Sequence, residues 1–214
     1  MSLIHIEARF GFEAAAVFLV LVVLLHFIRR DLEPFAHMIS EYACGRHGWL
    51  MRLAFYFLAA SCLALASAMF TYRMTATDGP LVLAIAAIGA AGAGFFVTDT
   101  PDAREVSAIP STRDGMLHVV FSFIFIPLFP VAAVLSLPVL MNGVVAHSER
   151  VILFAITAFT WIGLLGFVGS PLYVAVQNRG RGADAPVGIL QRIMVLSYAL
   201  WLLTAAWIIT SMPQ

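Results

Sequence analysis

Six apolar stretches, each long enough to cross a hydrocarbon layer as a helix, leave this chain little room for any soluble fold. They run approximately Phe10–Ile28, Leu50–Tyr72, Leu81–Val97, Gly115–Leu140, Val151–Tyr173 and Ile189–Ser211. Crossing takes about 20 mostly apolar residues, and backbone polar groups in lipid must be satisfied inside the segment, which selects helices over open strands. Composition points the same way: 62% of residues are hydrophobic and 11% charged, against about 25% charged in ordinary globular chains. The longest linkers, Arg29–Trp49, Thr98–Asp114 and Val174–Gly188, are too short to fold separately. The expected architecture is all-α, a single six-helix transmembrane domain over residues 1–214.

Charge supplies an orientation. Formal net charge is zero, so no basic excess argues for nucleic acid, and every cation is arginine. Arg29, Arg30, Arg46, Arg52, Arg104, Arg113, Arg179, Arg181 and Arg192 flank one side of the spans, while Arg9, Arg73 and Arg150 flank the other. Positive residues stay inside, which places both termini outside the cytoplasm. In a prokaryotic inner membrane the termini would be periplasmic or extracellular. The first span does not read as a cleaved signal, because Glu7 and Glu13 precede its apolar run and Arg29-Arg30 follow it. Cys44 and Cys62 have no metal or redox spacing.

Local signals agree with these limits. Ser111 with Asp114 fits a capping box opening the fourth span, and Pro34 and Pro101 stop helices in linkers. Pro127 and Pro130 remove backbone donors within the fourth span and are expected to kink it. Gly89, Ala90, Gly92, Ala93 and Gly94 let neighbouring backbones approach the third span closely, which suggests a place near the bundle centre.

In lipid the informative residues are polar ones at depth, because a central charge costs roughly 2.5–3.5 kcal/mol unless protein or water receives it. His118 lies one turn inside the fourth span, with Asp114 four residues before it on the same face. A carboxylate there would orient the ring as a base or ligand. Asp99 closes the third span with Asp102 just beyond, and Arg192 enters the sixth next to Gln191. His26, His37, Ser40, Glu41, Tyr42 and Arg46 come from the end of the first span and its linker. The plainer account is that boundary residues are solvated and arginines snorkel. Glu13 has Arg9 at helical spacing, and Ser61, Ser67, Ser122, Ser136, Thr157 and Thr160 read as bonded to helix backbones.

The segment from His37 to Met51, HMISEYACGRHGWLM, resembles the signature after the first span of a bacterial and archaeal membrane family known as domain of unknown function nine-nine-eight. An Asp closing the third span (Asp99), Gly-x-x-His opening the fourth (Gly115 to His118) and Gly-x-x-x-Arg opening the sixth (Gly188 to Arg192) extend the resemblance over the chain. Gln191 stands where an acidic residue is commoner. The resemblance implies six helices and singles out Ser40, Tyr42, Asp99, His118 and Arg192 as one constellation.

These residues outline a ligand site at the cytoplasmic boundary: Ser40, Tyr42, Asp99, Asp114, His118 and Arg192. The favoured function is binding or moving a membrane lipid or amphiphile, with Arg192 on anionic headgroup oxygens. The alternative is an intramembrane lipid hydrolase or transferase, with His118, Asp99 and Ser40 as catalytic candidates and His118, Asp99 and His37 as candidates for zinc. The third is an accessory or redox subunit of a larger membrane complex or homo-oligomer; haem there would need His26 and His118 as axial ligands. Nothing in the sequence names the cofactor or substrate.

Overall fold

The computed structural model describes residues 2–72, 77–99, 110–142, 147–178 and 186–212, without the side chains of 171–178. Pro101, Asp102, Arg73, Arg104, Arg179 and Arg181 lie outside the described residues. The helices are α1 (Leu3–Ile28), α2 (Gly48–Tyr72), α3 (Asp78–Phe95), α4 (Arg113–Leu135), α5 (Leu137–Met141), α6 (His147–Asn178) and α7 (Val187–Ser211), with a 3₁₀ turn at Ile39–Ala43. Among the described residues there is no strand, and six helical segments are long and apolar enough to cross a membrane, α4 and α5 together forming one.

Two boundaries differ from expectation for physical reasons. α1 begins at Leu3, since Arg9 and Glu13 pair at 3.0 Å across one turn of its exposed face and need no linker. The fourth span breaks at Ser136 instead of running straight to Leu140. Pro138 lacks an N–H and crowds the carbonyl one turn back, so the helix restarts there. Gly79, at the start of α3, lies against the break: a Cβ on it would come within 2.6 Å of the Ser136 nitrogen.

The spans form a ring in which α1 packs on α2 and α7, α2 on α3, α3 on α4, and α6 on α7. Only the α4–α6 contact is slight, so the ring closes there through a loose seam. Lipid provides no hydrophobic drive between helices, and association rests on close packing of small residues. Ala54, Ala59 and Ala66 of α2 and Ala86, Ala87 and Ala90 of α3 are buried accordingly. A Cβ on Gly89 would fall 2.6 Å from the Phe125 nitrogen and 2.8 Å from the Phe121 carbonyl oxygen, so α3 and α4 touch backbone to backbone. α3 packs between α2 and α4 and exposes Leu81, Ile85 and Ile88 on its outer face.

Inside the ring Phe129 stacks on Tyr198 with centroids 4.3 Å apart, and Trp201 meets Phe129 edge-on. Pro130 cannot donate to the Ile126 carbonyl one turn back. Tyr198 does so instead, its hydroxyl 2.7 Å from that oxygen. Trp201 Nε1 donates to Thr157 Oγ1 at 3.0 Å. Ser61, Thr157 and Thr160 bond backbone carbonyls as expected, whereas Ser67 donates to the Glu7 carboxylate and the buried Ser136 hydroxyl has no partner among the described residues. At the opposite end of the bundle from the layer of Arg192, His118 and Asp99, His5 Nε2 lies 3.1 Å from the Met212 carbonyl oxygen and ties the start of α1 to the end of α7.

Candidate functional site

Two clasps and a cavity account for the polar end of the bundle. The first clasp fastens the α1–α2 linker onto α7. Arg29 grips Asp31 (NH2 to Oδ2, 2.7 Å) and also donates to the carbonyls of Tyr42 and Cys44. The Asp31 bond raises the Arg29 pKa and lowers that of Asp31. Gly45, at φ 80°, turns the chain in the left-handed region. The linker then lies on the α7 N-terminus, where the Gly188 and Ile189 N–H groups donate to the Phe35 carbonyl at 3.0 and 3.3 Å. These are donors that a helix start leaves without intrahelical partners.

Gly188 and Arg192 act together one turn apart. A Cβ on Gly188 would stand 2.6 Å from the Pro34 oxygen and collide with that of His37, so only glycine admits the linker. Arg192 then holds what Gly188 admits: NH1 donates to the carbonyls of Pro34 (2.8 Å), His37 (2.7 Å) and Gly188 (2.9 Å). Its Nε donates to His26 Nε2 at 2.8 Å and its NH2 to the Tyr42 hydroxyl at 2.9 Å. Gln191 Oε1 accepts from the Ile39 N–H at 2.6 Å, and His37 Nδ1 donates to Glu41 at 2.6 Å.

The second clasp joins the end of α3 to the start of α4. Asp99 accepts from the Ser111 N–H (2.5 Å), the Thr112 N–H (3.1 Å) and both of their hydroxyls. Its carboxyl is held below the usual range, first by the Thr112 hydroxyl and then by the two backbone N–H groups. Thr112, not Ser111, is the N-cap, accepting from the Gly115 N–H at 2.9 Å. A Cβ on Gly115 would overlap the Asp99 carboxylate. His118 completes the clasp, its Nδ1 2.9 Å from the carbonyl oxygens of both Ala93 and Phe96. The expected Asp114 orientation of His118 is therefore corrected: Asp114 is exposed at the helix start, and the α3 carbonyls, deprived of donors where that helix ends, bind the ring instead.

Two carbonyls can only accept, so Nδ1 carries a proton, and in the neutral form of the ring Nε2 is an acceptor. That ring lines a groove of about 620 Å³ in the seam between α4 and α6. Its polar end is built from Ser40, Thr98, His118, Ser122 and Gln191; its walls are apolar, from Ile126, Pro127, Leu164, Leu165 and Val168 among others. Ser40, His118, Ser122, Ile126 and Gln191 also line an inner space of about 40 Å³, above the roughly 10–15 Å³ that one water needs.

The predicted constellation thus divides. Ser40 and His118 meet at the groove, while Tyr42, Asp99, Asp114 and Arg192 line neither space. The metal candidates also separate: His37 faces Glu41, Asp99 the α4 cap, and His118 the α3 carbonyls. Among the described residues no three His, Cys, Asp or Glu are placed to share a metal ion. His26, named for haem, has Nδ1 on the Val22 carbonyl at 2.7 Å and Nε2 on Arg192. Ser122 and Gln191 escaped the sequence-based site. Ser122 follows His118 by four residues and so shares its face, a signal that the sequence does carry.

Six apolar helices around a mostly apolar interior define a multi-pass membrane protein. The family model described as "Protein of unknown function (DUF998)" matches residues 13–208, and the chain belongs to that family. Neither proteins of curated function nor solved structures yielded a match.

Proposed function

We propose that this protein holds a membrane lipid or amphiphile in the α4–α6 seam, its chain along Ile126, Pro127, Leu164 and Val168 and its headgroup at Ser40, His118, Ser122 and Gln191. The observation that carries this reading is the groove itself, apolar along its length and polar at one end. Its volume of about 620 Å³ falls in the range of about 300–1,000 Å³ usual for small-molecule sites. Arg192 contributes indirectly in this reading, by seating the linker that brings Ser40 to the groove. The arginine distribution supports a cytoplasmic position for the polar end, with both termini outside, in the inner membrane of a prokaryote.

Native mass spectrometry of protein released from nanodiscs tests the reading. Wild-type protein is expected to carry a stoichiometric amphiphile. Val168→Trp, which fills the groove from its exposed rim, and His118→Ala are expected to lose it. An empty wild-type protein, or the same bound mass in both variants, overturns the proposal. Reporter fusions at each terminus test the orientation, and a cytoplasmic signal from either end overturns it.

A further inference from the structure

Resting on that reading, we infer that the ligand's headgroup is uncharged and carries hydroxyl donors, the class of a monoacylglycerol or another single-chain polyol amphiphile. The polar residues that line the groove are Ser40, Thr98, His118, Ser122 and Gln191. His118 lines the groove with Nδ1 held by the Ala93 and Phe96 carbonyls, which leaves Nε2 as the nitrogen free for a ligand, an acceptor in the neutral ring. A lone pair there accepts from a hydroxyl and repels an anionic oxygen.

Gln191 contributes the opposite polarity. Its carbonyl oxygen already accepts from the Ile39 N–H, which leaves the amide NH₂ as the free end of the side chain. Ser40 and Ser122 can donate or accept. A hydroxyl-bearing headgroup satisfies all of these at once, since each hydroxyl both gives and takes a hydrogen bond. A phosphate, which at neutral pH is chiefly an acceptor, would need cationic donors, and the described groove lining offers hydroxyls, one amide and an imidazole but no guanidinium or ammonium. Charge agrees: among the described residues that line the groove, none is Arg, Lys, Asp or Glu. The nearest arginine in sequence to the headgroup end, Arg192, has its donors on Pro34, His37, Gly188, His26 and Tyr42.

The test compares monooleoylglycerol with oleoyl lysophosphatidate, which share a chain and differ in the headgroup, titrated into delipidated full-length protein. Wild-type protein is expected to bind the glycerol lipid at least tenfold more tightly. His118→Asn keeps an N–H for the α3 carbonyls and lacks the Nε2 acceptor; it is expected to fold normally and lose at least tenfold in monooleoylglycerol affinity. Equal or tighter binding of the lysophosphatidate overturns the inference and leaves the groove standing, as does unchanged affinity in a folded His118→Asn variant. If neither probe binds and wild-type protein carries no amphiphile, the groove reading falls with it.

Discussion

Arg192 Nε and His26 Nε2 lie 2.8 Å apart, and His26 Nδ1 lies 2.7 Å from the Val22 carbonyl oxygen, so the imidazole is neutral with its proton on Nδ1. A guanidinium has donors only, and a protonated ring would set two cations against each other. The pair therefore needs an acceptor at position 26. His26→Gln, with a carbonyl oxygen in reach, is expected to retain most of the stability. His26→Leu should lose about 1 kcal/mol, the low end of the cost of an unpaired donor, since the pair is half-buried. Melting temperatures in one detergent decide between them; equal losses for Gln and Leu would show that only ring packing against Tyr42 matters.

Tyr198 substitutes for the backbone donor that Pro130 lacks. Tyr198→Phe should cost about 1–3 kcal/mol by stranding the Ile126 carbonyl. Pro130→Ala restores an N–H one turn on, and in that background Tyr198→Phe should cost much less. The double-mutant cycle reads the coupling directly, and additive effects would refute it.

Asp99 makes the second clasp dependent on acid. Its pKa is lowered in the folded protein from an ordinary value of 3.8, chiefly by the Thr112 hydroxyl. A lowered folded pKa gives stability that is present above the unfolded value and is lost as pH falls through the folded one. The gap in melting temperature between wild type and Asp99→Asn should thus be greatest near neutrality and close below about pH 4. A gap that stays constant down to pH 3 would assign the effect to packing.

Gly188→Ala should lift the linker off α7. Cys44 is buried within that linker and Cys62 is buried in α2. Maleimide labelling of Cys44 is expected to accelerate at least tenfold in Gly188→Ala, with Cys62 remaining protected as an internal control. Unchanged Cys44 kinetics would mean that the linker tolerates the methyl group.

The spans were legible because lipid imposes one rule on every residue of a crossing helix, and 18 or more apolar residues satisfy it in few ways. The pairing of Arg9 with Glu13 followed from helical spacing alone. The site was less legible because its polar residues bind across the chain. His118 has a carboxylate four residues away in sequence, yet it takes carbonyls of Ala93 and Phe96 from another helix. Arg192 gave the same difficulty: an arginine at a membrane boundary suggests an anion, and its acceptors are backbone oxygens of residues about 150 positions earlier. The Gly-x-x-His and Gly-x-x-x-Arg pairs share a logic invisible in sequence. In each, a glycine makes room for a neighbouring segment and the side chain one turn on fastens that segment.

On the proposed function, the seam between α4 and α6 sets the route and the scale of ligand exchange. Phe123, Leu165 and Val168 at its rim are exposed on spanning helices, so this side of the opening faces the acyl chains. A molecule arriving there has already left water, and the affinity of the groove need only exceed that of the surrounding bilayer. Occupancy would then follow the ligand's mole fraction among the lipids. A scarce amphiphile and an abundant one could differ greatly in occupancy while their total amounts in the cell were similar, and the protein would respond to membrane composition.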